Sequence, residues 1–447
     1  MKTITPAYFF FFVGILTGCT SIPKQHHEID YEIFLTPAQN TPTLPALQSC
    51  AFAQTQTHWV LIGGRKDGFH GRKANPKPFP FLLANDTVWV IDTQDWSCKG
   101  ASVQTFTDPY PFQATNMAHW QSGDTLFLLG GYGFFPKDTT QEARYSNHTF
   151  DSFHALSISQ LIKAIDQGEA LQTAVLFSLR DPFFKVTGGE LVKVNNYFYL
   201  VFGQDYSGEY RAGKDGLYTE AVRKFSLQNQ QITNKKIISS SIDPKTEENP
   251  FHRRDLNVAL IRYRDTTAIT AFGGVFRKNG DGWTNPITIQ PMKQDQIAYT
   301  TFEQRTNHYT CAQLLLYSAK NRRSVTNLLG GIGQYQYHPE TQTWENGDQG
   351  NKLPFVKSIT QLTYDGITWR QKIQKEELPA YLGTNAVFIP QSAYRYDEVF
   401  LDYDKIPAQK NTHIGYLYGG ILAQRPSSSS EFPTQTNFNL YEVWIKK

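Results

Sequence analysis

The sequence contains few charged residues and no hydrophobic run long enough to span a membrane. Charged residues make up 19% of its 447 residues, and 43 basic against 40 acidic side chains leave a net charge of +3. A balance this close to neutral gives no electrostatic reason to expect a nucleic-acid partner. The N-terminal apolar stretch Ala7–Leu16 has 10 residues, whereas a membrane-spanning helix needs roughly 20. With an apolar content of 40%, these features exclude a polytopic membrane protein.

Common catalytic signatures are missing as well. The chain has no Gly-x-Ser-x-Gly elbow, no P-loop, no Gly-x-Gly-x-x-Gly after a strand and no His-Glu-x-x-His pair. His308 and Cys311 have a spacing that could form half of a metal site, but a single His-x-x-Cys is weak evidence. We therefore expect neither a metal nor a cofactor.

Aromatic and turn-forming residues are abundant. Aromatics reach 14%, and there are 32 glycines and 23 prolines but only 3 methionines. Aromatic residues favour strands, while glycine and proline favour tight turns. The composition predicts an all-β fold of short strands, and its aromatic content argues against disorder.

The N-terminus has the pattern of an export signal. Lys2 precedes the apolar stretch, which ends in Leu16-Thr17-Gly18-Cys19. This ending resembles the lipobox of bacterial lipoproteins. The resemblance implies a signal peptide over residues 1–18, lipidation of Cys19 (palmitate among its acyl chains), and a tether over 19–27. Thr20 in place of aspartate implies the outer membrane. The alternative is an ordinary secretory signal with a chance cysteine.

Three further cysteines are Cys50, Cys98 and Cys311. An exported protein could form disulfides, but an odd number leaves at least one thiol free. The repeat described next places Cys50 and Cys98 on the first and fourth strands of one unit. Three strand spacings of about 4.8 Å then separate them by more than the roughly 7 Å that a disulfide allows. We expect no disulfide.

A strand ending in glycine recurs six times along the chain. The copies are WVLIGG (59–64), LFLLGG (126–131), YLVFG (199–203), ITAFGG (269–274), TNLLGG (326–331) and GYLYGG (415–420). Glycine suits a strand that must turn sharply, because it accepts positive φ and close backbone approach. The third copy has Gly203-Gln204 where the others have two glycines. Each copy has one strand before it and two after it, which predicts six four-stranded units.

Apolar-Gly-Gly, a loop, Val-Trp-Val-Ile-Asp-Thr (88–93), a turn and Trp96 together resemble the kelch repeat. The resemblance implies a six-bladed β-propeller over residues 28–447. The last unit lacks a fourth strand after Asn439–Ile445, whereas Ile29–Leu35 is an unused strand before the first unit. We expect Ile29–Leu35 to complete the last blade and so close the ring. Ser159 and Gly168 also predict one helix, over residues 160–167.

Unusual residues collect at one end of the predicted units. The loops after the glycines and the entries to the first strands share a face, where we expect a ligand to bind. The candidate contacts are Arg65, His70, Arg72, Tyr132, Glu190, Asp205, Tyr206, Arg253, Arg254, Asp255, Arg277, Arg305 and His308. Arginine forks suit carboxylates, and tyrosines stack on flat groups. The alternative is a set of ion pairs that only stabilises a polar funnel.

Two functions remain open. The chain could be a non-catalytic lipoprotein that binds a glycan, a peptide or a partner protein. It could instead be a carbohydrate enzyme of mutarotase or epimerase type, since some exported bacterial kelch propellers are sialic-acid mutarotases. An enzyme needs an acid and a base in one pocket, so the positions of Glu190, Asp255 and His308 distinguish the two. The Thr-Asn and Thr-Gly pairs at several strand entries indicate turns in which side chains bond backbone amides.

Overall fold

Short antiparallel strands form most of the protein, which is an all-β chain with a single α-helix in its described part. A computed structural model describes residues 29–39, 43–69, 79–136, 145–210, 216–347, 353–428 and 433–447. Cys19, the predicted signal peptide and the predicted tether lie outside these residues. Within them, no helix is both long and apolar enough to cross a membrane.

After β1 (Glu32–Pro37), the strands follow in six successive units, numbered here one to six. Unit one contains β2 (Ala51–Gln54), β3 (His58–Ile62), β4 (Thr87–Asp92) and β5 (Cys98–Ser102). Unit two contains β6 (Ala118–Ser122), β7 (Thr125–Leu129), β8 (Tyr132–Pro136), β9 (Tyr145–Thr149), β10 (Ser152–Ser157), the helix α1 (Ile158–Gln167) and β11 (Val175–Arg180). Unit three contains β12 (Glu190–Val194), β13 (Tyr197–Val201), β14 (Gln204–Asp205), β15 (Leu217–Tyr218), β16 (Ala221–Gln228) and β17 (Gln231–Ser239).

Units four to six repeat this plan with their own insertions. Unit four contains β18 (Asn257–Tyr263), β19 (Thr266–Phe272), β20 (Ile287–Gln290) and β21 (Gln296–Tyr299). Unit five contains β22 (Ala312–Ser318), β23 (Arg323–Leu329), β24 (Tyr335–His338), β25 (Thr343–Asn346), β26 (Ser358–Tyr364) and β27 (Trp369–Glu377). Unit six contains β28 (Ala386–Pro390), β29 (Leu401–Asp402), β30 (Thr412–Gly419), β31 (Ile421–Leu422), β32 (Gln435–Thr436) and β33 (Tyr441–Lys446).

Four main strands pair antiparallel, in chain order, in each of the first five units, and two-stranded hairpins such as β8–β9 extend the loops after the glycines. A pair between Tyr263 and Arg323 joins the sheets of units four and five. Apolar side chains pack between neighbouring units, and α1 contributes Leu161 and Ala164 to the cluster shared by units one and two. Ser157 caps α1 by accepting the N–H of Gln160. The helix therefore begins two residues earlier than predicted.

Strand β1 pairs with the last strand of the chain. Its residues run antiparallel to β33, with Ile33 opposite Ile445 and Leu35 opposite Val443. The sheet of unit six consequently has the order β1, β33, β30, β28. Ile33 and Ile445 are fully buried, so β1 covers an edge that would otherwise expose unpaired backbone groups.

The glycines that end the second strands connect each unit to the next. The N–H of the last glycine in each motif donates to the carbonyl that precedes the next first strand. The pairs are Gly64–Ala114, Gly131–Val186, Gly203–Arg253, Gly274–His308, Gly331–Leu382 and Gly420–Leu47, at 2.7–2.9 Å. The sixth pair returns from unit six to the start of unit one, so these hydrogen bonds form a closed cycle, which we call the glycine cycle.

In five of the six motifs, close contact leaves no room for a side chain at the residue before the donor glycine. At Gly130, for example, φ is 62° and a Cβ atom would overlap the carbonyl oxygen of Val186. The third unit shows how the pattern varies. Phe202 takes the place of the first glycine, with φ of 56°, and Gly203 is the second. The prediction that Gly203-Gln204 takes the place of the two glycines was therefore wrong by one position.

Cys50, Cys98 and Cys311 are all free. Cys50 and Cys311 are buried, and burial raises the pKa of each of these two thiols to about 12. They consequently pack as small apolar side chains.

Candidate functional site

A second cycle of backbone hydrogen bonds lies where the first strands begin. Its members are Ser49, Asn116, Gly188, Asp255, Thr310 and Asn385, one from each unit. Each N–H donates to the carbonyl of the member in the preceding unit, and Ser49 completes the cycle by donating to Asn385 at 3.3 Å. We call this set the entry cycle. It brings all six first-strand entries together at one place in the fold.

The entry cycle includes the second residue of three recurring pairs, Thr115-Asn116, Thr187-Gly188 and Thr384-Asn385, but not Asn307 of the Thr306-Asn307 pair. Asn116, Gly188, Asp255 and Asn385 have φ between 49° and 65°, a region that asparagine, aspartate and glycine tolerate better than other residues. Their side chains reach other members or neighbours: Asn116 Nδ2 donates to Asp255 Oδ1 at 3.3 Å. We predicted that these side chains bond backbone amides. What the members of the entry cycle named above share is instead a left-handed backbone conformation.

Five members of the entry cycle form part of the wall of a cavity of about 390 Å³, which we call the front cavity. Its other lining residues come largely from loops after the glycines. The lining is Gln48, Ser49, Arg65, Gly68, Phe69, Phe79, Thr115, Asn116, Tyr132, Thr187, Gly188, Gln204, Tyr206, Tyr210, Arg254, Asp255, Phe276, Arg277, Lys278, Gly280, Tyr309, Asn385 and Ile421. The face that was predicted to bind a ligand therefore has a cavity.

Aromatic rings dominate one part of this wall. Phe79 contacts Tyr132 and Tyr210 at centroid distances of 5.4 Å each. Tyr206 lies 5.7 Å from Tyr132 and 5.2 Å from Tyr210. The four rings come from the loops of units one, two and three. Three of these contacts are edge-to-face, and the one between Tyr206 and Tyr210 is tilted. Such contacts hold aromatic side chains in defined positions, and we call these four residues the aromatic cluster.

An arginine and an aspartate adjacent in sequence form the main ion pair of the cavity. Arg254 Nη1 donates to Asp255 Oδ2, and its Nε donates to the hydroxyl of Tyr218 at 3.1 Å. Its guanidinium lies 5.1 Å from the ring centre of Phe276. Burial lowers the pKa of Arg254, but the Asp255 carboxylate and the nearby hydroxyls of Tyr218, Tyr210 and Tyr309 together raise that pKa well above its ordinary value. The guanidinium of Arg254 therefore stays charged.

The other two predicted arginines of the cavity also have acidic partners. Arg65 binds both carboxylate oxygens of Asp67, at 2.6 and 2.8 Å. Arg277 binds Glu248 Oε2 at 2.6 Å through Nη2. Since each of the three cavity arginines already has a carboxylate, an anionic ligand would have to compete with these ion pairs.

Tyr309 has a hydroxyl available for a ligand. It lines the front cavity, and no hydrogen bond to its hydroxyl exists in the part of the chain that the structure describes. Burial raises the pKa of Tyr309 well above its usual range, so this hydroxyl keeps its proton and can donate.

Two predicted acid/base candidates do not line the front cavity. His308 is fully buried; its Nε2 contacts Gln304 O at 3.0 Å, and its Nδ1 accepts from Gln334 N at 2.8 Å. Burial lowers its pKa to about 4. Glu190 is partly buried at the start of β12, where burial and the nearby Asp255 raise its pKa to about 8.

Three more predicted residues have structural contacts elsewhere. Arg253 is 1% exposed and donates to the carbonyls of Pro250, Gly273 and Asn285. Asp205 pairs with Lys185 at 3.0 Å. Arg305 lies over Trp344 at 5.4 Å. None of the three lines the front cavity, and His70 and Arg72 lie outside the described residues.

Sequence reasoning missed much of the aromatic lining. Phe69, Phe79, Tyr210, Phe276 and Tyr309 line the front cavity but were not predicted to do so. A signal was present, because four of the five lie within loops that follow a glycine motif. Among the described residues, no cluster of three histidines, cysteines or acids could hold a metal ion.

No protein-family model and no curated protein matches the chain. Among solved structures, one titled "Structure of YjhT" aligns with it at a TM-score of 0.48 and 12% sequence identity. The alignment covers 89% of this chain and 99% of that chain. The class that the chain's own strands define is an all-β protein built from six antiparallel units.

Proposed function

We propose that this protein is a six-bladed kelch-type β-propeller that binds a glycan in its front cavity. The units would be the blades, and β1 would close the last of them. The glycine cycle and the entry cycle support this arrangement, because each returns from unit six to unit one after a single contact per unit. The pairing of β1 with β33 supports closure by an N-terminal strand.

The binding proposal is based on one observation: the aromatic cluster and several polar side chains line the same cavity. Aromatic faces can pack on the C–H surface of a sugar ring, while hydroxyls and amides hydrogen-bond its hydroxyl groups. Tyr309 supplies such a donor, and Asn116 and Asn385 add amide groups at the entry cycle. A volume of about 390 Å³ falls within the range of small-molecule sites.

Binding without catalysis fits the positions of the acid/base candidates. An isomerase of mutarotase or epimerase type would need an acid and a base in reach of one substrate. Of Glu190, Asp255 and His308, only Asp255 lines the front cavity, and Arg254 holds it as an ion pair. An enzyme of this type would therefore need a second catalytic group other than Glu190 or His308.

A glycan-binding screen tests the proposal. Residues 21–447, which include every described residue, are applied to a glycan array, and affinities of the hits are measured by calorimetry. Tyr309→Phe removes one hydroxyl and should weaken binding three- to tenfold, the worth of one hydrogen bond. Tyr299→Phe is the matched control, since Tyr299 is 55% exposed on β21, away from the cavity.

The outcomes separate the two functions. Absence of any glycan ligand, or unchanged affinity in Tyr309→Phe, would refute the binding site. Accelerated anomer exchange of a bound sugar, followed by NMR, would establish the isomerase instead. Neither result tests the proposed propeller arrangement.

We further propose that the chain is an exported lipoprotein anchored in the outer membrane through Cys19. The Leu-Thr-Gly-Cys ending of the apolar stretch supports this. Several acyl chains would bind firmly, whereas one chain binds only marginally. Cys19→Ala should abolish palmitate labelling and membrane partitioning, and unchanged labelling would show that the lipobox is a chance match.

A further inference from the structure

An insertion in unit six crosses the ends of the first strands opposite the front cavity. It covers residues 391–405, between β28 and β30, and we call it the strap. Glu398 accepts the N–H of Gly123 in unit two at 2.8 Å. Asp397 pairs with Arg262 in unit four at 2.8 Å. Its strand β29 pairs parallel with β22 of unit five. The strap is therefore held at three other units.

Between the strap and the first strands lies a second cavity of about 770 Å³, which we call the back cavity. All of its lining residues are described by the structure. They are Phe52, Gln54, Thr55, Gln56, His119, Trp120, Gln121, Gly123, Val258, Gln313, Leu315, Phe388, Pro390, Ser392, Arg395, Glu398, Val399 and Leu401. The front cavity shares none of them, so the two are separate sites.

Eight of the 18 residues that line the back cavity are apolar or aromatic, with Phe52, Trp120 and Phe388 as the large rings, and four are glutamines. Burial lowers the pKa of His119, so this imidazole is neutral at pH 7. The charged lining residues are Arg395 and Glu398. Whether the cavity favours an anion or a cation thus depends on the hydrogen-bond partners that these two side chains already have.

Arg395 and Glu398 differ in this respect. Glu398 accepts hydrogen bonds at both carboxylate oxygens, from Gly123 N at 2.8 Å and from Ser122 Oγ at 3.5 Å. Arg395 donates one hydrogen bond, from Nη1 to the backbone oxygen of Glu398 at 3.2 Å. In the described part of the chain it forms no ion pair. A partly buried guanidinium has five N–H donors, and most of these have no protein acceptor here.

We propose that the back cavity binds an organic anion whose carboxylate pairs with Arg395 and whose apolar body lies against Phe52, Trp120 and Phe388. The arginines of the front cavity each form hydrogen bonds with a carboxylate, whereas the guanidinium of Arg395 has Glu398 and Asp397 nearby but forms no ion pair with either, and it lines a larger space. A planar guanidinium binds a carboxylate through two parallel hydrogen bonds. The apolar part of the wall then contributes binding energy in proportion to the area it covers.

Fluorescence titration with 8-anilinonaphthalene-1-sulfonate tests this site, because the probe combines an anionic group with an aromatic body. The purified protein should bind it saturably, and octanoate should displace it while octanol, which has no charge, should not. Arg395→Gln should weaken probe binding at least tenfold, and Arg395→Lys should retain most of it. Thermal unfolding of each variant checks that the strap remains folded.

Arg370→Gln is the matched control, since it removes one positive charge from a side chain that is 68% exposed on β27. It should bind the probe as the original protein does, and so should Tyr309→Phe in the front cavity. Absence of saturable binding, equal displacement by octanol, or unchanged affinity in Arg395→Gln would each overturn the proposal. None of these outcomes bears on glycan binding, which depends on other residues.

Discussion

The backbone N–H of Gly420 donates to the carbonyl oxygen of Leu47 at 2.9 Å. This hydrogen bond joins unit six to the segment that enters unit one, and it is equivalent to the five contacts between consecutive units. The residue before the donor glycine has a positive φ in all six units, and in five of them it is a glycine at which a Cβ atom would overlap the next unit; Phe202 in unit three is the exception. The stability of the fold should therefore be sensitive to these glycines.

Gly130→Ala should cost about 3 kcal/mol or more in the free energy of unfolding. It combines a left-handed backbone, worth about 1–2 kcal/mol for an L-residue, with an overlap against the carbonyl of Val186. Gly168→Ala in the same unit is the control: its φ is 69°, but an added Cβ meets nothing within 4 Å. It should cost only about 1 kcal/mol. Equal losses in urea unfolding would show that the close contact has no role.

Ile33→Ala should destabilise the protein by about 2–5 kcal/mol, the usual cost of emptying a fully buried aliphatic site. Ile33 is 0% exposed and lies opposite Ile445. Its neighbour Glu32 is exposed, so Glu32→Ala should change stability by less than about 0.5 kcal/mol. If both variants unfold at the same urea concentration as the original protein, β1 does not contribute to the fold.

The buried imidazole of His308 should make stability depend on pH. Burial lowers its folded pKa to about 4, from 6.5 in the unfolded chain. The unfolded state therefore binds the proton more readily, and stability is lost as the pH falls from about 6.5 to about 4. His154, whose pKa is also lowered to about 4 by burial, acts in the same direction.

Urea unfolding between pH 7 and pH 4 measures this dependence. His308→Gln should lose part of the slope, by up to about 1.4 kcal/mol per pH unit. His338→Gln should keep the full slope, since the side chain of His338 is 41% exposed. An identical slope in the original protein and in His308→Gln would contradict the burial of a neutral imidazole.

Glu190 should have the opposite effect. Burial and Asp255 raise its folded pKa to about 8, so its contribution to stability is lost as the pH rises from about 4.5 to about 8. Glu190→Gln removes the charge at constant size. It should raise the free energy of unfolding above pH 8 by about 1.4 kcal/mol or more, the worth of one pKa unit, and change it little at pH 4.5. A variant that is less stable at pH 9 would refute a buried, protonated carboxyl group.

Much of the strand plan could be read from local patterns. The six glycine motifs, the strand before each and the strands after each have periodicities that short segments determine by themselves. The local sequence pattern predicted the start of α1 two residues too late. Asp124 accepts the hydroxyls of both Ser157 and Ser159 and the N–H of Ser159, while Ser157 accepts the N–H of Gln160. Asp124 is too distant in sequence for a local pattern to include it.

The candidate site was only partly predictable for the same reason. Arg253 and Arg254 are neighbours with similar sequence surroundings, yet Arg253 is buried against backbone carbonyls while Arg254 lines the front cavity. The carbonyl of Arg253 accepts the N–H of Gly203 in unit three at 2.9 Å. That contact comes from another unit.

The amino-acid sequence by itself determined the all-β class and the six repeated strand groups, because each depends on residues close together in the chain; the N-terminal Leu-Thr-Gly-Cys motif supports only the proposal of a lipid anchor. Only the tertiary structure decided which arginines are neutralised by acids, which aromatic rings meet, and that residues 391–405 enclose a second cavity. These features depend on contacts between segments far apart in sequence, and such contacts are set by packing and burial rather than by local propensity.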